Sequence, residues 1–477
     1  MKAIKNTGVL LFSEFISKGI AFLLIPFYSF VIEPEDFGLI AILQLFFTIF
    51  FLVISYSLSS TFDKFFFDEK YQSLQTLFSN LFLLQIFAIL IGSLIYLLFD
   101  SSIVTLLDLE NKEYLDWIFY TAVIAVFFPL VNSFLICSGQ VKKAGLFSIL
   151  ISIIRSVMAL LLVLNMEDKV LAILLAGFAE QIVGFLIAVP YYYKHLRLNK
   201  ISKTLIAESA LYASLFFPTS CSTFIVKFSD RFMIQYMLGY QSLGIYSMGT
   251  KLVNIPGQFI STVNKNFMPQ IYQGISKGDN RLINQLVRLF LAVIFIFIFG
   301  LIIFSTEIFY VIGTNYKDSY NIFIILSLCA YINGYNLILQ PVMTYFNKYV
   351  KYKSMIWVTV GIVNLILNIL VIPDYGILGA AGVTTFSYLI SIPFSYYYSK
   401  KAYKENYYIK WFSFSCLLLI VLSIFMILNE YEESLLSFFV RVIIFTTVGL
   451  IFMKKLVSLK ALKAKTMLFS KKLLKKK

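Results

Sequence analysis

The stretch PEDFGLIAILQLFFTIFFLVISYSL, Pro34 to Leu58, opens on a proline and two carboxylates and then runs from Phe37 to Leu58 without a charge. About 20 mainly apolar residues cross the hydrocarbon layer as a helix, so this run reads as a membrane span with an acidic cap outside it. Similar runs recur along the chain and predict fourteen spans, at 8–32, 37–61, 75–99, 115–137, 145–164, 170–193, 207–236, 242–264, 283–304, 319–346, 354–372, 376–398, 411–428 and 435–453. The expected fold class is therefore an all-α polytopic membrane protein. Composition agrees, because the 477 residues are 60% hydrophobic and 14% charged, where soluble domains run at roughly 45–50% and 25%. One His and four scattered Cys leave nothing for a conventional metal centre or a disulfide framework. No metal or cofactor is expected. The first apolar run, Gly8 to Ile32, has no small-residue cleavage site and reads as a retained helix.

The net charge of +15 is distributed unevenly. With the N-terminus taken as cytoplasmic, 31 of the 40 Lys and Arg fall in inward segments, among them the turns at Lys142, Lys143, Lys348, Lys351 and Lys353 and the tail from Lys454. Only Lys112, Lys169 and Lys317 fall outward, beside acidic stretches at Glu33 to Asp36, Asp108 to Asp116 and Glu430 to Glu433. This is the positive-inside pattern at every crossing. Both termini are expected in the cytoplasm, with the basic tail on the anionic inner leaflet of membrane lipids and no role for nucleic acid.

An internal repeat emerges at one spacing. FGLIAI at Phe37 to Ile42 matches LGIYSM at Leu243 to Met248 with an offset of 206, and the basic turns at Lys142 and Lys348 share that offset. Ala176-Gly177 matches Ala381-Gly382, and the triplet Tyr191 to Tyr193 matches Tyr396 to Tyr398, both at 205. The organisation predicted is an N-terminal six-helix lobe over 1–203, a C-terminal six-helix lobe over 204–405, two additional helices over 406–453 and a basic tail over 454–477. An even number of spans per lobe gives the lobes one orientation, the arrangement of alternating-access transporters.

At three places the chain resembles the polysaccharide-repeat-unit flippases (Wzx-type) of the multidrug/oligosaccharidyl-lipid/polysaccharide exporter superfamily. They are PEDFGLIAI at Pro34 to Ile42, SDRFMIQYMLGYQSLGIYSMGTKL at Ser229 to Leu252, and NLILNILVIPDYGILGAAGVTTFSYLI at Asn364 to Ile390. The resemblance implies a two-lobed transporter that turns undecaprenyl-pyrophosphate-linked oligosaccharide from the inner to the outer leaflet of the bacterial cytoplasmic membrane, for O-antigen or capsule. It also implies that the first and seventh spans line a cavity. The lipid-linked oligosaccharide is the expected partner, and other polysaccharide-assembly membrane proteins are further candidates.

Six cations lie inside spans: Lys18, Arg155, Lys227, Arg231, Lys251 and Arg441. Each costs at least about 2.5–3.5 kcal/mol at mid-bilayer unless it meets a partner or water. In the eighth span Ser247, Lys251, Asn254 and Gln258 recur at helical spacing on one face, and Lys251 has no acidic residue at i±3 or i±4. The tenth span repeats the pattern with Asn333, Asn336, Gln340 and Thr344, and the eleventh carries Asn364 and Asn368. Such faces turn toward water or toward other helices, where they hydrogen-bond across the interface. Across the first, seventh and eighth spans Lys18, Lys227, Arg231 and Lys251 outnumber Glu14 and Asp230, a surplus that a pyrophosphate would neutralise. The substrate-binding candidates are Lys18, Lys227, Arg231, Lys251, Asn254, Gln258, Asn336 and Gln340, with Glu14 and Asp230 as supporting ion-pair partners. Arg155 and Glu180 read as a structural pair, and Arg441 as a side chain that snorkels to the outer surface.

Two other functions compete. A cation-coupled multidrug exporter of the same superfamily favours unpaired carboxylates in its cavity, the opposite charge surplus. A membrane-embedded polymerase or ligase needs a place to hold substrate outside the bilayer, and the longest outward segment, Asp100 to Tyr114, is only about fifteen residues. There is no phosphate-binding G-x-x-x-x-G-K-[ST] loop, and the lone His195 sits in a basic turn. The chain reads as a transporter and not an enzyme.

Overall fold

The computed structural model describes residues 2–66, 73–405, 407–429 and 435–456. The basic tail past 456, Lys70, and Glu430 to Glu433 lie outside the described residues, as do the side chains of Glu14, Lys18 and Lys227. Within the described residues the regular elements are helical: α1 (Lys2–Val31), α2 (Pro34–Ser55), α3 (Leu58–Phe65), α4 (Leu74–Leu107), α5 (Glu113–Ala125), α6 (Phe127–Cys137), α7 (Val141–Asn165) and α8 (Lys169–His195). After a 3-10 turn at Leu198–Lys200 come α9 (Lys203–Lys277), α10 (Asn280–Ile303), α11 (Ser305–Tyr310), a second 3-10 turn at Thr314–Tyr316, α12 (Ser319–Tyr345), α13 (Asn347–Ala402), α14 (Ile409–Leu428) and α15 (Leu435–Leu456).

Two of these helices are hairpins. In α9, Gly239 takes φ 81° and ψ −179°, a region that side chains rarely enter. The Tyr246 hydroxyl donates to Asp230 Oδ2 at 2.6 Å across 16 residues, which a straight helix would hold about 24 Å apart. The chain therefore folds back at Gly239 into bodies 203–238 and 240–277. Gly376 does the same in α13 at φ 58° and ψ −145°, and the rings of Tyr352 and Tyr398 stack 4.4 Å apart across that turn. With both hairpins counted as two bodies, all fourteen predicted spans have their helix.

Two spans read as single helices are broken. Tyr56 and Ser57, at φ 44° and 55°, part α2 from α3. Between α5 and α6 the cause is Pro129, whose ring opposes the carbonyl of Ala125, where α5 ends. Elsewhere the boundaries follow local chemistry. Pro34 starts α2, with Glu35 and Asp36 in its first turn, and Asp168 caps α8 by accepting from the Leu171 amide at 2.8 Å. Helix α4 runs to Leu107, so much of the outward segment expected from Asp100 onward is helical rather than loop.

Contacts divide the chain into two compact units, Met1–Ser247 and Met248–Lys477. In the first, α1 packs on α7, α7 on α8, α8 on α5 and α5 on α2. Phe62, Phe78, Leu81, Val131 and Leu135 form a core at its basic end. The linker after α8 is stitched to that core by the fully buried Asn80, whose amide donates to the Lys200 carbonyl at 3.2 Å and accepts from the Ser202 amide at 2.8 Å. In the second unit α12 packs on α10 and α13, and α14 and α15 pack on α10. Arg441 of α15 does not snorkel. It is buried, donates to Glu307 of α11 at 3.1 Å, and bonds Ser437 on its own helix. A partner within reach removes the reason for the guanidinium to extend to the surface.

Candidate substrate-binding site

In the first unit the charged sequence Ser229-Asp230-Arg231 lies nine residues before the Gly239 turn, and the fold-back brings Tyr246 opposite it. Asp230 is 9% exposed and accepts from the Tyr246 hydroxyl and, at 2.8 Å, from the Arg231 amide. The Arg231 guanidinium lies 5.1 Å from the Phe228 ring centroid. From sequence Asp230 is a supporting ion-pair partner of the cations in its span, whereas Tyr246 comes from the other arm of the hairpin. Its signal was available once Gly239 is read as a turn, because Asp230 and Tyr246 then stand at similar heights on facing arms.

The second pair in this unit is Arg155 of α7 with Glu180 of α8, 3.0 Å apart. Their expected pairing is present. Helix α1 is tied to the same part of α7, since the Ser152 hydroxyl donates to the Ser17 carbonyl at 2.9 Å.

In the second unit Lys251 is half-buried, and Asn254 and Gln258 on the same helical face are exposed. Ser247, at the start of that face and the last residue of the first unit, is buried at 2% exposure. The stripe thus passes from packed to open along its length. In α12, Gln340 is half-buried, but Asn336 is fully buried and donates to Ser391 of α13 at 2.7 Å. Its amide serves the α12–α13 contact and not an open face. Asn368 donates to Asn364 at 3.0 Å, and Asn364 reaches Ser387 at 3.4 Å across the α13 hairpin. Asn364 therefore hydrogen-bonds between helices, and Asn368 backs it from one turn along the same helix. Glu307 and Ser391 were not singled out from sequence; Glu307 follows the ninth span by three residues, and a search for carboxylates just past span ends would have found it.

This is a polytopic helical membrane protein with the two-lobed, fourteen-helix fold of membrane transporters. The fold is similar to that of lipid II flippase MurJ in an inward closed conformation, with TM-score 0.71 at 18% identity over 94% of this chain and 99% of that one. It is also similar to an inward-facing multidrug resistance MATE family transporter of the MOP superfamily, with TM-score 0.65 at 12% identity over 80% and 94%. The chain belongs to the polysaccharide biosynthesis protein family, whose model matches residues 3–274. Among its relatives, Lsg locus putative protein 1 of Haemophilus influenzae is 23% identical over 82% of this chain and 98% of its own length. The probable low-salt glycan biosynthesis flippase Agl15 of Haloferax volcanii is 26% identical over 49% of this chain and 52% of its own.

Proposed function

We propose that the protein flips undecaprenyl-pyrophosphate-linked oligosaccharide repeat units across the bacterial cytoplasmic membrane by alternating access, for O-antigen or capsule assembly, with both termini cytoplasmic. The family membership and the transporter fold support a glycan-linked cargo. The observation that carries the reading is the face of α9 on which Lys251 is half-buried while Asn254 and Gln258 are exposed. Amides left open within a span need water or a polar ligand, and a cation among them suits a diphosphate headgroup. Lys18, Lys227 and Arg231 join it in this proposal, with Glu14 and Asp230 as their partners. A drug exporter is less well supported: Asp230 and Glu180, deep in their spans, are already bonded to Tyr246 and Arg155.

Complementation tests this function. Expression in a flippase-deficient strain that accumulates lipid-linked repeat units is expected to restore surface polysaccharide, without changing drug resistance in an exporter-deficient strain. Restored drug resistance with no surface polysaccharide would overturn it.

A further inference from the structure

Arg155 stands in the middle of α7, fourteen residues from Val141 and ten from Asn165, which is about 15 Å from the outer end. Its side chain is 48% exposed, against 16% for its partner Glu180. An exposed guanidinium at that depth meets either hydrocarbon or an aqueous interior, and the rest of the helix decides between them. Leu146, Leu150, Ile153, Val157, Leu161 and Leu164 are exposed and recur at helical spacing, forming the stripe that faces lipid. At about 3.6 residues per turn, Arg155 lies nearly opposite that stripe. Ser148 and Ser152, on the Arg155 side, are the residues that bond α1. The exposed part of Arg155 therefore opens inward, on the side of α1, and Tyr28 of α1 is within electrostatic reach of it.

The bond to Glu180 is one-pronged, from Nη1 to Oε2. Among the described residues no other acceptor is found for the guanidinium, a group with five donors in a fork that matches two phosphate oxygens. A pair evolved only to hold α7 to α8 has no need of an open fork, and those helices already pack on each other.

We propose that Arg155 is an anion-binding residue of the first unit and that Glu180 is its resting counter-ion, displaced when the diphosphate of the lipid-linked substrate arrives. This rests on the function proposed above and adds to it a site that charge counting across the first, seventh and eighth spans leaves out. Glu180 balances the charge of Arg155 before the substrate arrives and, staying close, competes with the bound diphosphate. Capture is weakened and release is quickened, as a carrier that must both load and unload requires.

The test is equilibrium binding and turnover with the purified full-length protein in detergent or vesicles, using undecaprenyl pyrophosphate, inorganic pyrophosphate and the uncharged undecaprenol as probes. Glu180→Gln is expected to tighten both pyrophosphate probes by about tenfold while slowing turnover, and Arg155→Gln to weaken both by about tenfold. Arg155→Lys should retain part of the binding, and the double variant should bind as weakly as Arg155→Gln alone. A gain of affinity in Glu180→Gln cannot come from misfolding. Pyrophosphate binding unchanged in Glu180→Gln and Arg155→Gln, or shifts that appear equally with undecaprenol, would overturn the assignment while leaving the flippase reading in place. Wild-type protein that binds undecaprenol as tightly as undecaprenyl pyrophosphate would instead remove the flippase reading itself.

Discussion

Gly38 and Gly244, 206 residues apart in the internal repeat, face each other in the first unit: a Cβ on Gly38 would overlap the Tyr240 carbonyl, and one on Gly244 the Pro34 carbonyl. Pro34 and Tyr240 are themselves 206 apart, so the contact is reciprocal between repeat-related positions. Two helix backbones approach this closely only where neither carries a side chain, the packing that small residues allow in membranes.

Because the atoms in the way are backbone carbonyls and not movable side chains, Gly38→Val and Gly244→Val should each destabilise the protein by about 1–3 kcal/mol, the usual cost of overpacking. Gly177→Ala, where nothing lies within 4 Å of the added Cβ, is the matched control. Thermal unfolding in detergent checks this; a Gly38→Val variant as stable as Gly177→Ala would contradict the close approach.

Asn80 holds the linker after α8 by bonds to Lys200 and Ser202. Asn80→Ala removes both of these part-buried bonds and should cost about 1–3 kcal/mol. Proteolysis at the linker, measured in isolated membranes, should quicken in Asn80→Ala and stay unchanged in Gln75→Ala, whose side chain makes only an exposed bond to Lys200.

Glu307→Gln strips the buried Arg441 of its counter-charge and should cost on the order of 3 kcal/mol, whereas replacing the pair together by Glu307→Leu with Arg441→Met should recover much of that loss. The comparison is of the melting temperatures of the wild type and these two variants. Equal loss in the single and paired replacements would contradict an energetically coupled pair.

Lys251→Arg should keep much of the surface-polysaccharide restoration, and Lys251→Gln should lose most of it at equal membrane abundance, because a phosphate contact tolerates a guanidinium better than a neutral amide. A fully active Lys251→Gln would remove Lys251 from the site.

Reporters that are active only outside the cytoplasm should be active when fused after Asp36 or Asp374 and inactive after Lys143, Lys200 or Lys351, as the distribution of Lys and Arg requires. Asp374 now sits two residues before the Gly376 turn. An inactive fusion there would break the span count.

Hydrophobic runs and charge asymmetry made the number of spans legible, because a span must be long, apolar and flanked by the right charges whatever its neighbours are. The breaks were less legible. A left-handed Tyr56 leaves no mark in an apolar stretch, while Pro129 does and could have been used. Polar residues in spans were read as facing water or other helices, and only packing separates the two: Asn336 turned to Ser391, while Asn254 three residues past Lys251 stayed open. The partners of Asp230 and Arg441 come from other helical bodies, and periodicity along one helix carries no information about those.

The function proposed for this chain is movement of a pyrophosphate-linked glycan lipid between leaflets. It is tested most directly by reconstituting the full-length protein in vesicles that contain a fluorescent short-chain pyrophosphate-linked oligosaccharide, and measuring the fraction that membrane-impermeant reductant quenches. Nearly all the lipid should be quenched with wild-type protein and about half in protein-free vesicles where one leaflet is shielded, with an intermediate rate for Lys251→Arg that falls toward the protein-free level for Lys251→Gln. Quenching that stops at the protein-free fraction with folded wild-type protein would contradict that function.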